Sequence, residues 1–171
     1  MSQKILLVGP SRCGKDTAGE ILPRLTAGRL KYGGTTSLYL CPHVARRQGL
    51  TTEEAYRVRH EYKMLWYETG NELRAHDPGV LLREALANGN LVAGLRDAQE
   101  IVAACDNHLV DRIVWIERDV PNDPTLKFDL NFCAYAIARS QKEIVLDVIL
   151  NHTSTDDFER RLGVFVAQNG L

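Results

Sequence analysis

No apolar run in this chain reaches transmembrane length, and the N-terminus carries no secretory leader pattern, so a cytoplasmic protein with no membrane partner is expected. Cysteine is sparse: Cys13, Cys41, Cys105 and Cys133 lie far apart with no C-x-x-C pair, which argues against a disulfide framework or a zinc site and for reduced thiols. The five histidines form no ligand pair at helical spacing. A charge excess is also missing. The net charge of −1 argues against binding nucleic acid through bulk charge, while leaving room for a local basic cleft. Internal repeats and low-complexity linkers are absent. With 171 residues, 44% hydrophobic and 25% charged, the chain has the size and composition of one soluble domain with a full core.

What is present begins with GPSRCGKD, Gly9 to Asp16, between the apolar run KILLV, Lys4 to Val8, and TAGEILPRL. A buried parallel strand, a glycine-bounded loop and a helix are the context a phosphate-binding loop requires. Gly9 and Gly14 permit backbone angles that turn successive N–H groups around an anion. The helix adds its unpaired N–H groups and the positive end of its dipole, and Lys15 a full charge for the outer phosphates. G-x-x-x-x-G-K is normally followed by Ser or Thr, whose hydroxyl ligates Mg²⁺. Here Asp16 follows, a hard oxygen ligand able to hold Mg²⁺ directly or through water, and Thr17 is a candidate helix cap. Cys13, inside the loop, reads as a small filler.

The rest alternates between strand and helix patterns. After a helix from Lys15 to about Leu25 comes a basic, glycine-punctuated turn, Gly28 to Gly34. TTSLYL, Thr35 to Leu40, reads as the second strand by β-propensity, and Cys41 to Gln48 as a short basic helix or turn opening at Pro42. Thr51 with Glu54 signals a cap, and Tyr56, Arg59, Tyr62, Lys63, Trp66, Tyr67 and Arg74 recur at helical spacing on one long helix ended by Asp77-Pro78. A helix over Gly79 to Ala87 follows. Strands are expected at Leu91–Leu95, Asp111–Arg118 and Glu143–Asn151, and helices at Asp97–Asp106, about Leu130–Ser140 and Ser154–Ala167, with 119–129 irregular. The expected fold is α/β: a parallel five-stranded sheet with helices on both faces, in one domain over 1–171. Residues 41–89 would form an inserted helical region over the carboxyl edge, and 119–142 a short lid.

Three groups carry further chemistry. Arg96 and Asp97, in GLRDAQE at the end of the third strand, share the loop's sheet edge. Arg96 suits phosphate oxygens, Asp97 a Mg²⁺ ion or its water, and Glu100 is placed to pair Arg96. The aromatic-rich helix offers Arg59 and Arg74 for an acceptor phosphate, Trp66 as an aromatic face, and Asn71 and Glu72 for base or sugar edges. The lid cations available are Arg118, Lys127, Arg139 and Lys142, in the segment that would exclude water. Asn151 to Thr155 is placed to cap the last helix or to flank a base.

These residues resemble a family. GPSRCGKDT looks like the GKDT variant of the loop in phage-type deoxynucleoside monophosphate kinases, and RHEYKMLWYETGNELRAHDPGVLLREALANGNLVAGLRDAQEI is similar to their middle region. So are IVWIER with its Pro-containing sequel and LDVILNHTSTDDFERRL. The resemblance implies a P-loop kinase fold and transfer of the ATP γ-phosphoryl group, with Mg²⁺, to a deoxynucleoside monophosphate; the expected cytoplasm is that of a host if the chain is phage-encoded. It places Lys15 and Asp16 at the triphosphate and Arg96 near the transferred group. The expected nucleotide set is Gly9, Ser11, Arg12, Cys13, Gly14, Lys15, Asp16 and Thr17, with Arg118. The acceptor set is Arg59, Trp66, Asn71, Arg74 and Arg96, and the metal ligand is Asp16. The arginine-dense lid of cellular adenylate kinases is absent from this sequence. Three alternatives stay open: a kinase of a modified base such as 5-hydroxymethyluracil in DNA, with Asp97 as base; a kinase of another small phosphorylated metabolite; and a nucleotide-binding regulator without turnover. A homodimer is allowed.

Overall fold

The structure, a computed structural model, describes residues 3–95, 97–119, 139–140 and 144–171. Five strands form one parallel sheet: β1 (Ile5–Val8), β2 (Tyr32–Thr35), β3 (Leu91–Ala93), β4 (Arg112–Glu117) and β5 (Val145–Leu150). Their spatial order is β2-β3-β1-β4-β5. β1 pairs β3 on one side and β4 on the other, with Leu6 opposite both Val92 and Ile113. The chain therefore builds one half of the sheet, then crosses β1 to build the other. Such a reversal opens a crevice at the carboxyl end of β1, where ligands of open α/β sheets bind.

The apolar run in β1 is buried on both faces, as a central parallel strand requires. Ile5 and Leu7 pack with α1 (Lys15–Leu25) and α7 (Thr155–Gln168) on one side. Leu6 and Val8 pack with α5 (Val80–Leu86) and α6 (Ala98–Asp106) on the other. Alternate residues of one strand thus join two cores. Between β2 and β3 lie α2 (Thr36–Gln48), α3 (Thr52–Arg57), α4 (Lys63–His76) and α5. A third, smaller cluster ties them, with Leu40, Cys41, Val44 and Ala45 of α2 against Ala55, Trp66 and Leu81.

Two expectations from the sequence are corrected. The second strand is Tyr32–Thr35, within the expected glycine turn, while Thr36 to Leu40 opens α2 and Pro42 lies inside that helix. The reason is packing: Leu40, Cys41, Val44 and Ala45 share one buried helical face, which outweighs the β-propensity of TTSLYL. β2, meanwhile, runs close under α5, where a Cβ on Gly33 would stand 2.4 Å from the Ala85 carbonyl oxygen. The single long helix from Thr51 is two helices. The expected Thr51 capping box with Glu54 starts α3. After Tyr56 the Arg59 guanidinium takes the Tyr56 carbonyl at 2.9 Å and sits 4.2 Å over its ring, so a side chain satisfies the helix end and the chain turns before α4. The remaining expected elements that fall within the described residues match to within a few residues at their ends. Most of the expected lid and its helix, with Lys127 and Lys142, lies outside the described residues, as does Arg96. No described helix is long and apolar enough to cross a membrane.

Candidate phosphate loop and acceptor cleft

The loop leaves β1 at Gly9, with φ of 147°, and enters α1 at Gly14, with φ of 103°; both lie where a side chain is strained. Space enforces the same choice. A Cβ on Gly9 would lie 2.4 Å from the Ile116 oxygen, and one on Gly14 2.5 Å from Asn151 Nδ2. Arg12 adopts a left-handed φ of 62° between them. Gly14 is itself the N-cap of α1 and no side chain caps that end, so Thr17, one turn inside and exposed, does not have the capping role expected of it. The first-turn amides are accordingly left without a side-chain acceptor at the loop's mouth, the arrangement that suits an anion.

Lys15 is buried and its ammonium donates to the carbonyl oxygens of Gly9 (2.9 Å) and Pro10 (2.6 Å). Cys13 is fully buried with Lys15 Nζ 3.6 Å from its sulfur. Burial raises its thiol pKa and outweighs the lowering by Lys15. The loop is also gripped from behind. Asn151, buried at the end of β5, donates from Nδ2 to the Cys13 carbonyl at 2.7 Å, and its own amide bonds Glu117 O at 2.7 Å. Sequence reasoning assigned Asn151 to a cap or a base. The cap of α7 is Ser154, which accepts from the Asp157 amide. The missed signal was a polar residue closing an apolar strand on the loop's own sheet edge.

Asp16 is exposed in the first turn of α1, where a carboxylate is favoured by the helix dipole. Its Oδ1 accepts from the Tyr32 hydroxyl at 2.8 Å. Burial, then the Asp16 bond and charge, push the Tyr32 hydroxyl pKa upward, so it remains a donor. An exposed hard oxygen beside a cradle that glycines alone can form fits a Mg²⁺ ion carried with phosphates, a cation that takes one or two carboxylates and keeps several waters. No cluster of three or more His, Cys, Asp or Glu suited to a metal occurs among the described residues.

A cleft of about 250 Å³ continues from the loop and is lined by Ser11 and Arg12 at one end. Arg59, His60, Lys63, Trp66, Tyr67 and Arg74 come from the helical region, and Gly94, Asp97 and Glu100 from the end of β3 and the start of α6. The break between α3 and α4 thus still delivers Arg59, Trp66 and Arg74 to one space with the loop. Trp66 is largely buried, packed edge-on to Tyr56 with ring centroids 6.3 Å apart. Arg74 is 3.6 Å from Glu100 and donates to Asn71 at 2.7 Å. Glu100 therefore pairs Arg74; the pairing with Arg96 expected from the sequence lies outside the described residues. Glu100 faces α4 from the first turn of α6, where it also completes a capping box with Asp97. Asp97 accepts from the Gln99 amide at 2.8 Å and is the N-cap of α6. Asn71 and Glu72 are exposed and outside the cleft lining, and Glu72 pairs Arg47 at 2.8 Å. Arg118 is exposed just beyond β4.

No protein-family model matches this chain, and no curated protein matches it. Solved structures do. Shikimate kinase from Acinetobacter baumannii, in complex with shikimate, is similar over 99% of this chain and 95% of its own, with a TM-score of 0.51 at 16% identity. That likeness concerns fold: the chain has the α/β fold of a P-loop kinase.

Proposed function

We propose that this protein is an ATP-dependent phosphotransferase that passes the γ-phosphoryl group to a (deoxy)nucleoside monophosphate. The observation that carries the reading is the continuity of two sites: Ser11 and Arg12 belong to the loop and also line a cleft bearing Arg59, Lys63 and Trp66. Donor and acceptor phosphates would meet at that shared wall. Phosphoryl transfer asks mainly for positioning and charge neutralisation, which backbone amides and fixed cations supply.

In this mechanism the loop amides between Gly9 and Gly14 receive the β- and γ-phosphates. Lys15 exchanges its bonds to the Gly9 and Pro10 carbonyls for phosphate oxygens. Asp16 would hold Mg²⁺, directly or through water, and the ion would supply neutralisation of phosphate charge. Arg59 and Arg12 oppose the repulsion between the acceptor dianion and the triphosphate, and Trp66 and Tyr67 give the base an aromatic boundary. Arg96 and a lid cation are assigned the transferring group by sequence position. A mononucleotide acceptor is already ionised, so Asp97 is free to remain the cap of α6.

The test is a coupled ADP-release assay with ATP, Mg²⁺ and a panel of mononucleotides. A hydroxymethylated DNA oligonucleotide and shikimate are parallel arms, the latter because the solved kinase of this fold was captured with shikimate. ADP release that depends on at least one mononucleotide is expected. Release with the oligonucleotide or shikimate alone overturns the acceptor assignment, and no release with any acceptor overturns the enzymatic reading.

A further inference from the structure

Resting on the reading of the loop as a triphosphate site, we infer that Tyr32 is a positioning residue for the metal-side carboxylate, holding Oδ1 of Asp16 so that the other oxygen is presented to Mg²⁺ or its water. Asp16 is exposed, and an exposed carboxylate rotates among several rotamers. A single bond, Tyr32 Oη to Asp16 Oδ1 at 2.8 Å, selects one of them. An ionised carboxylate has acceptor sites to spare on its second oxygen, so the bond does not use up the ligand.

Tyr32 is itself fixed from three sides. Its backbone is the first residue of β2 and pairs with Leu91 of β3. Its ring is half-buried and packs on the core formed by β1, α1 and α7. It also lies close against Gly19, where a Cβ would come within 2.6 Å of ring carbons Cε2 and Cζ. Residues 16 and 19 are neighbours on one helix face, so the ring rests on one turn of α1 while the hydroxyl reaches the turn before it. Gly19 is thus explained: it admits the ring that aims Asp16. Hydrogen bonds to ligating carboxylates typically set metal affinity by about 10–100-fold, and the same range is expected here.

The experiment follows the melting temperature of the whole chain with saturating ATP while Mg²⁺ is raised from a chelated start, alongside the Mg²⁺ dependence of turnover. Tyr32→Phe removes only the hydroxyl. It should raise the half-maximal Mg²⁺ concentration in both readouts by about tenfold to hundredfold, leaving the metal-free melting temperature near wild type. Gly19→Ala, which displaces the ring without altering either partner, should move Mg²⁺ dependence in the same direction. Within Asp16→Asn, adding Tyr32→Phe should change the Mg²⁺ response no further. The inference fails if Tyr32→Phe leaves the Mg²⁺ requirement unchanged or lowers it while Asp16→Asn raises it, or if the two substitutions add independently. A wild type whose melting and turnover ignore Mg²⁺ would overturn this inference together with the triphosphate reading beneath it.

Discussion

The phosphate loop and the acceptor cleft share Ser11 and Arg12 but are built from different materials. The loop is backbone, shaped by two glycines that cannot carry a side chain and held from behind by Ile116 and Asn151. The cleft is side chain, assembled from arginine, lysine and aromatic residues on short helices whose own core is the smallest of the three. A backbone cradle recognises phosphate of any kind and is preorganised at the fold's switch point. A side-chain cleft can be re-specified by few substitutions. Donor recognition should therefore be rigid and generic, and acceptor identity should reside in the helical region.

The largest expected effect tests the loop half. Lys15→Ala removes the buried ammonium of the cradle, and loss of a single preorganised stabiliser of transition-state charge typically costs about 10²–10³ in turnover. Turnover should fall at least that far while the melting temperature stays close to wild type, because the glycine-shaped backbone of the loop and its Asn151 anchor are untouched. Near-normal turnover in the folded variant would remove the loop from the mechanism.

Arg59→Ala tests the other half. Losing a charge-assisted phosphate contact of about 1.5–3 kcal/mol should raise the Michaelis constant for the mononucleotide roughly tenfold to hundredfold and leave that for ATP nearly unchanged. If both constants rise together, the two regions are one site and the contrast between them breaks.

Much of this contrast was legible in the sequence. The loop was, because its signal is local: a strand, two glycines and a lysine at fixed spacing dictate their own conformation. The parallel sheet was, because the apolar runs of β1, β3 and β4 are buried on both faces, while the edge strand β5 exposes Val145, Val148 and Leu150. What escaped was set by distant neighbours. TTSLYL has strand propensity, yet α2 forms because its apolar face packs on α4 and α5. Asn151 reads as a cap until β5 brings it beside Cys13, and Tyr32 reads as part of a turn until β2 lays it over Gly19. Glu100 and Arg74 are far apart in sequence, so only the fold could show that they pair.

Arg74→Ala sharpens the comparison within the cleft. Arg74 is tied to the buried Glu100, which also supports the Asp97 cap. Removing it takes one charged partner from a buried carboxylate, a loss of about 1–3 kcal/mol in stability. The expected signature is a lower melting temperature with a smaller rise in acceptor Michaelis constant than in Arg59→Ala. A purely kinetic change would return Arg74 to the role of a direct phosphate contact.

The smallest effect concerns the corner behind the loop, where α7 begins. Its Phe158 lies under Gly14, with 3.4 Å between the ring and a Cβ built on that glycine. Asp157 in the first turn is held well below the usual carboxylate range by bonds from Thr153, Arg161 and Arg160. A folded pKa below the unfolded value of about 3.9 gives stability that is present above that pH and is lost as pH falls through the folded value. Asp157→Asn should therefore melt slightly below wild type at pH 7, and the gap should narrow on acidification below about pH 4. Added salt should narrow it too, since these pairs face solvent. Because the corner backs the loop, the accompanying kinetic change should be a small rise in the Michaelis constant for ATP, with the acceptor constant untouched. A melting gap that holds constant from pH 7 to 2 would show that Asp157 acts through its shape in the capping turn; a shift in the acceptor constant instead would show that the two regions are coupled through α7.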